Sequence, residues 1–444
     1  MERKTFLKTA GTVLAGSLIT SGLNANSFGS SNKKIRVAMV GTGNRGMEMW
    51  CKPVINEFGD ILEFVGLCDI NAGRVKYFRE ETKLTCPIYT DFDKMMQETK
   101  PDKLIVTTVD GFHHQYIIKG MEYGADIISE KPMTTTESKC QSILDAEKRT
   151  GKKVTVTFNY RYSPHRQKIY ELLRAGAIGD IMSVDFHWYL DVYHGADYFR
   201  RWHRLRENSG SLLVHKASHH FDLLNWWIDS DPKTVFGNGS LDFYGKNGAV
   251  RGENCRNCEH KKDCKFYWDL TKKKELYNLY VPNYQYDHYL RDGCVFRKDV
   301  DIFDKMAVQI QYMNNVQVSY SLTAYSPYEG YRISFSGTKG KLDAWIKERQ
   351  PWGEEPFDVI DVTTIFGKKE TIKIPNKESG HGGGDVRIRK QVFTGGEDPY
   401  RQSAGSRDGS MAILIGIAAR NSIDSGKPVN IADLTDLVPQ VKKA

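Results

Sequence analysis

Through the first third of the chain, short apolar runs bounded by glycine or polar turns alternate with amphipathic segments, and beyond it apolar positions recur at every second residue. The first run, Ile35 to Val40, stops at Gly41-x-Gly43-x-x-Gly46, and a second, 61–68, ends at Asp69. Strands are predicted at 34–40, 61–68, 103–108, 126–129 and 153–158, with helices between them at about 46–57, 72–81, 92–98, 114–123 and 137–150. Such alternation builds a parallel sheet covered by helices, so residues 31–155 read as a doubly wound Rossmann domain of an α/β protein.

From 156 to 444 the predicted strands are 181–190, 235–241, 306–311, 317–323, 331–336, 341–346, 357–363 and 370–374, with Gly337-Thr338-Lys339-Gly340 as a tight turn. Helices are predicted only at 166–175, 219–227 and 410–425. This pattern predicts an α+β domain with a large, mostly antiparallel open sheet, its last helix returning to the first domain. A Lys-rich, strand-poor insertion at about 244–300 has little core of its own.

The glycine loop has a chemistry. Gly41 lets the chain turn, Gly43 lets backbone approach a pyrophosphate, and Gly46 lets the helix pack on the strand, with Asn44 and Arg45 inside the loop. Backbone N–H groups and the dipole at the helix start favour the phosphates of a dinucleotide. Asp69 is placed to accept from the adenosine ribose hydroxyls, and its charge repels a 2′-phosphate, which favours NAD. Arg45 offsets that repulsion, so NADP stays open.

Composition adds limits. With 444 residues, 40% of them hydrophobic, the chain exceeds one ordinary core and predicts two domains. The net charge of +8 is spread along the chain, which fits solubility better than nucleic-acid binding. After the N-terminus no stretch approaches the length of a membrane span. Residues 1–30 read as an export signal: Arg3-Lys4-x-Phe6-Leu7-Lys8, then a small-residue apolar segment, resembling a twin-arginine leader with Lys4 in the place of the second arginine. The expected location is the periplasm.

Ser129-Glu130-Lys131-Pro132 closes the nucleotide domain, and Asn159-Tyr160-Arg161-Tyr162-x-Pro164 follows it. With the glycine loop, these motifs make the chain resemble the glucose-fructose oxidoreductase, inositol dehydrogenase and MocA family. The resemblance implies oxidation or reduction of a small-molecule sugar, polyol or glycoside with NAD(H) or NADP(H), and a homo-oligomer formed through the open sheet. It implies that Lys131 contacts substrate and helps position the nicotinamide. Thr108, His113, Glu130 and Asn159 are expected at the cofactor, and Arg161 and Tyr162 at the substrate.

The second family signature falls on Gly210 to Asp222, with His219 on the family histidine and His215 where aspartate is usual. Oxidising a hydroxyl requires a group that takes its proton, and histidine does this near neutral pH. His219 is therefore the expected acid/base, Lys131 its electrostatic partner, and His215 a substrate holder or second relay member, with Lys216 beside them. Histidines four apart also suit a metal or a packed core. His381-Gly382-Gly383-Gly384-Asp385 resembles a stretch of the NAD-dependent glycosidases of family 109, which puts His381 near substrate and makes redox-neutral glycoside cleavage the alternative activity. A non-catalytic binding protein on a dehydrogenase fold is the third reading.

Cys255-x-x-Cys258-x5-Cys264, with Cys294, lies in the insertion. Four thiolates around one metal, zinc before iron–sulfur, would supply the core the insertion lacks, and in an exported protein two disulfides compete with that reading, with free thiols as the remaining alternative.

Overall fold

The computed structural model describes residues 33–376 and 379–442, so the export-signal expectation lies outside the described residues. The nucleotide half is a six-stranded sheet, β1 (Ile35–Val40), β2 (Leu62–Cys68), β3 (Ile88–Tyr89), β4 (Lys103–Val106), β5 (Asp126–Ser129) and β6 (Val154–Val156), in the order β3-β2-β1-β4-β5-β6. Every pairing in it is parallel. Helices cover both faces, which is why β1 and β4 are almost continuously apolar and buried. The order reverses between β1 and β4, so the loops after β1, β2, β4 and β5 converge on one crevice at the carboxyl ends of the strands.

The helix after the glycine loop differs from its prediction. Its first turns, Gly46–Cys51, are wound wide with i→i+5 bonds, and only Lys52–Phe58 is α-helical. Pro53 explains the change: it has no N–H to give to the turn before it, and its ring crowds the carbonyl of Met49, so the helix widens there.

The second sheet comprises β7 (Ile181–Asp191), β8 (Pro232–Ser240), β9 (Lys305–Tyr312), β10 (Gln317–Ser326), β11 (Glu329–Gly337), β12 (Gly340–Arg349), β13 (Phe357–Thr364), β14 (Lys369–Pro375) and β15 (Val429–Asn430). Its order is β14-β13-β12-β11-β7-β10-β9-β8-β15, antiparallel except where β7 runs parallel to β10. Alternate residues of β9 and β10 are buried beneath helices. The helix Ala217–Ile228 is buried along its whole length. The last helix, Ser406–Ser425, begins four residues before its prediction because the Asp408 carboxylate accepts from the Gly405 N–H and caps the extra turn. It packs on Ala217–Ile228 and β8, and also on Glu137–Thr150 and β6. Both sheets thereby belong to one body, 34–444.

The insertion contains the short helices Lys274–Tyr280 and Tyr284–Asp287 and lies against the nucleotide half. Asn71 Nδ2 donates to the Asn283 carbonyl at 2.8 Å, and Lys52 pairs with Glu275 at 3.6 Å. Among the described residues no helix is long and apolar enough to cross a membrane.

Candidate active site

A cavity of about 820 Å³ runs from the glycine loop to the helices of the second sheet and is lined by residues of both halves. At its nucleotide end Gly41 has φ +91°, and a Cβ there would lie 2.6 Å from Thr107 backbone, so only glycine fits. A Cβ on Gly46 would lie 2.8 Å from the Gly41 carbonyl, which ties that glycine to close packing; Gly46 does not line the cavity. The Asn44 N–H points outward and donates to the Tyr280 hydroxyl of the insertion at 2.9 Å. That N–H is aimed to hold an oxygen atom, as a pyrophosphate site requires.

Asp69 is 6% exposed and accepts from Thr42 N at 2.7 Å, Thr42 Oγ1 at 2.9 Å, Asn71 N at 2.9 Å and Arg74 Nη1 at 3.3 Å. The arginine beside Asp69 is thus Arg74. Arg45, expected to offset Asp69, instead donates to Glu130 at 2.7 Å and reaches toward Asp385. Its place in the loop turns it toward the β5 end of the crevice, so it does not offset the Asp69 charge. Glu130 also accepts from Trp50 Nε1 at 2.7 Å. His113 is buried, with Nδ1 2.9 Å from the Pro132 carbonyl and Nε2 3.0 Å from that of Thr108, so it braces the ends of β4 and β5 against each other.

Lys131, His215, Lys216, His219 and His381 all open into this cavity. Lys131 Nζ donates to the His215 carbonyl at 3.1 Å. Burial drives its pKa down to about 8, against the pull of Asp110 and Glu130, with Lys216 and Arg45 pushing the same way as burial. His215 Nδ1 lies 2.5 Å from Asp110 Oδ2. Burial raises the Asp110 carboxyl well above its usual range and lowers His215 well below the usual imidazole range, with Lys131 adding to the latter. Both shifts favour a pair with no net charge, in which the second ring nitrogen carries hydrogen and His215 serves as a donor.

His219 is 4% exposed, its Nδ1 has no partner among the described residues, and its ring stacks on Tyr160 at 4.1 Å. Burial, then Lys131 and Lys216, hold its pKa well below the usual range, so it is a neutral base. Lys216 Nζ donates to the Tyr160 hydroxyl at 2.8 Å. Asn159 Nδ2 lies 3.1 Å from His381 Nδ1 and donates to Asp385 at 2.5 Å. Burial raises the Asp385 pKa, but His381, Arg45 and Asn159 outweigh it and bring the value to about 2.

Two expectations are corrected. Arg161 does not reach substrate: it is 2% exposed, grips Asp222 through Nε at 2.8 Å and Nη2 at 2.5 Å, and lies 3.2 Å from Asp408. Tyr162 likewise packs into the apolar core with Trp50, Ile388 and Phe393. Both lie in the short helical turn Asn159–Tyr162, where adjacent side chains diverge, so Asn159 faces the cavity while Arg161 and Tyr162 are buried away from it. Cys255, Cys258, Cys264 and Cys294 do line one small cavity, yet none is disulfide-bonded, and among the described residues no three His, Cys, Asp or Glu side chains group to hold a metal. Arg200 Nη1 donates to Cys255 Sγ at 3.0 Å.

The motifs missed several members of the site: Asp110 as the partner of His215, His203 packed against it, and Arg74, Tyr280 and Asp287 at the nucleotide end. Asp110 follows a predicted parallel strand and carried a signal. The insertion residues carried none.

A glycine loop and strand-end acid on a parallel sheet, facing a lysine and two histidines across one cavity, define a nucleotide-binding oxidoreductase architecture. Comparison with known proteins gives the family. Residues 35–158 match the oxidoreductase family's NAD-binding Rossmann fold and residues 170–431 its C-terminal alpha/beta domain. The chain belongs to the Gfo/Idh/MocA oxidoreductase family. It is 36% identical to YteT of Bacillus subtilis (strain 168), named as an oxidoreductase, over 90% of this chain and 98% of that protein. It is 24% identical to the inositol 2-dehydrogenase of Salmonella typhimurium (strain LT2) over 39% of this chain and 49% of that one. Among solved structures, the WlbA dehydrogenase of Bordetella pertussis, in complex with NADH and UDP-GlcNAcA, superposes with a TM-score of 0.63 at 16% identity, covering 90% of this chain and 99% of that one.

Proposed function

We propose that the protein moves hydride between NAD(H) and a hydroxyl-bearing carbon of a sugar, polyol or glycoside. The observation that carries this reading is that Lys131, His215 and His219 open into the same cavity as Gly43 and Asp69. When bound, NAD supplies the hydride acceptor. Gly43, Asn44 and Asp69 would hold it along the crevice. The Lys131 ammonium steadies the oxygen as its carbon gives up hydride. His219, neutral and packed on Tyr160, takes the hydroxyl proton. His215, oriented by Asp110, donates to the substrate and fixes its position. Following nicotinamide absorbance across a panel of sugars and glycosides tests the reading: the expected result is reduction with at least one, lost in His219→Ala, and silence across the panel overturns it.

A second reading has one observation of its own. His381 and Asp385 meet Asn159 at the cavity wall, and their stretch resembles the NAD-dependent glycosidases. In that reading bound NAD would supply a transient oxidation with no net redox change, and His381, Asp385 and Asn159 would sit beside the glycoside whose leaving group departs by elimination. Sugar release without net NADH formation distinguishes the two.

A further inference from the structure

The insertion reaches the Asp69 end of the cavity and places a second acid there. Arg74 Nη1 donates to Asp69 at 3.3 Å, and Arg74 Nη2 donates to Asp287. All three side chains are largely buried, at 11% exposure for Arg74, 5% for Asp69 and 15% for Asp287. Asp69 is fixed by Thr42 and Asn71, and Asp287 accepts from the Tyr289 N–H at 3.2 Å, so neither carboxylate swings away freely.

We propose that Asp287 is a specificity-determining residue: with Asp69 it takes both ends of the Arg74 guanidinium, and so selects NAD(H) over NADP(H). This rests on the nicotinamide reading above. In nucleotide folds of this kind the strand-end acid receives the ribose 2′-hydroxyl, and an arginine nearby, with its fork free, receives a 2′-phosphate. Asp69 alone would leave Arg74 half free, and one acid against one base would be neutral. Asp287 commits the other end and leaves the cluster with one net negative charge, which a 2′-phosphate has to approach.

Asp287 is not what keeps the insertion in place. Asn71 Nδ2 holds the Asn283 carbonyl at 2.8 Å, and Lys52 pairs with Glu275 at 3.6 Å. A Cβ on Gly73 would fall 2.1 Å from Asn283 Oδ1, which shows how closely the two segments fit. A substitution at 287 can therefore change the charge and leave the fit.

The test is titration of the full chain with NADH and with NADPH, read by nicotinamide fluorescence. Wild type is expected to prefer NADH. In Asp287→Asn the affinity for NADPH should rise about tenfold, the equivalent of 1.4 kcal/mol, while that for NADH stays within about threefold. Adding Arg74→Ala to Asp287→Asn should abolish the gain, because the freed guanidinium is its source. An unchanged ratio overturns the proposal, as does a parallel fall in both affinities, which would mark Asp287 as a structural clamp. Wild type that binds neither nucleotide sinks the nicotinamide reading itself, and this proposal with it.

Discussion

Lys131 titrates within the working range of an enzyme, with a pKa of about 8 where burial outweighs the neighbouring acids Asp110 and Glu130. Below that value it is an ammonium; above it the charge that, in the proposed reaction, steadies a developing alkoxide is gone. His219 and His215 are held well below the usual imidazole range and stay neutral through neutral pH. The profile of kcat/KM should therefore fall on the alkaline side near pH 8, with its acid limb well below 6.5. Lys131→Arg should weaken activity and remove the alkaline fall, because a guanidinium does not deprotonate there. An alkaline fall that persists in that variant would assign it to another group. Resemblance to the family motifs singled out Lys131 and His219, and both line the cavity. It did not separate Asn159 from Arg161 two residues on, because the direction each side chain takes is set by the turn between β6 and the next helix.

At the scale of elements, the strands and helices of the first half followed their patterns, since each must bury a stripe of fixed period. The exceptions have local causes: Pro53 widens one helix, and Asp408 extends another. The insertion is different. Its short helices have no strong period, so its docking on the glycine loop was not legible. Tyr280 gives this docking a measurable consequence. Its hydroxyl takes the Asn44 N–H that a pyrophosphate oxygen also needs, and an ordinary hydrogen bond is worth about 1 kcal/mol net. Tyr280→Phe should tighten NADH binding by about fivefold, measured by calorimetry, because it removes the competing acceptor. Weaker binding would make Tyr280 a ligand of the nucleotide.

For the whole molecule, the site exists because the second half packs back onto the first. The last helix touches Ala217–Ile228, β8, Glu137–Thr150 and β6, and the Val156 N–H donates to the Ala404 carbonyl at 2.9 Å. Arg161 sits at this seam, joining Asp222 of one helix to Asp408 of another. Removing one member of a buried ionic cluster is costly, so Arg161→Met should lower unfolding stability by about 3–5 kcal/mol in denaturant titration. NADH affinity of the folded variant should be unchanged; a specific loss of substrate binding with stability intact would restore Arg161 to the active site.

What the sequence determined by itself was the class of each half, the glycine loop and the strand-end acid. These follow from local rules: burial period, backbone freedom at glycine, and motif spacing within a single element. Only the tertiary structure decided that Asp110 partners His215, that Arg74 rather than Arg45 stands beside Asp69, and that the insertion closes on the nucleotide end. Those pairings join residues as far apart as 74 and 287, and no local periodicity encodes a contact made when separate elements bury their surfaces against each other.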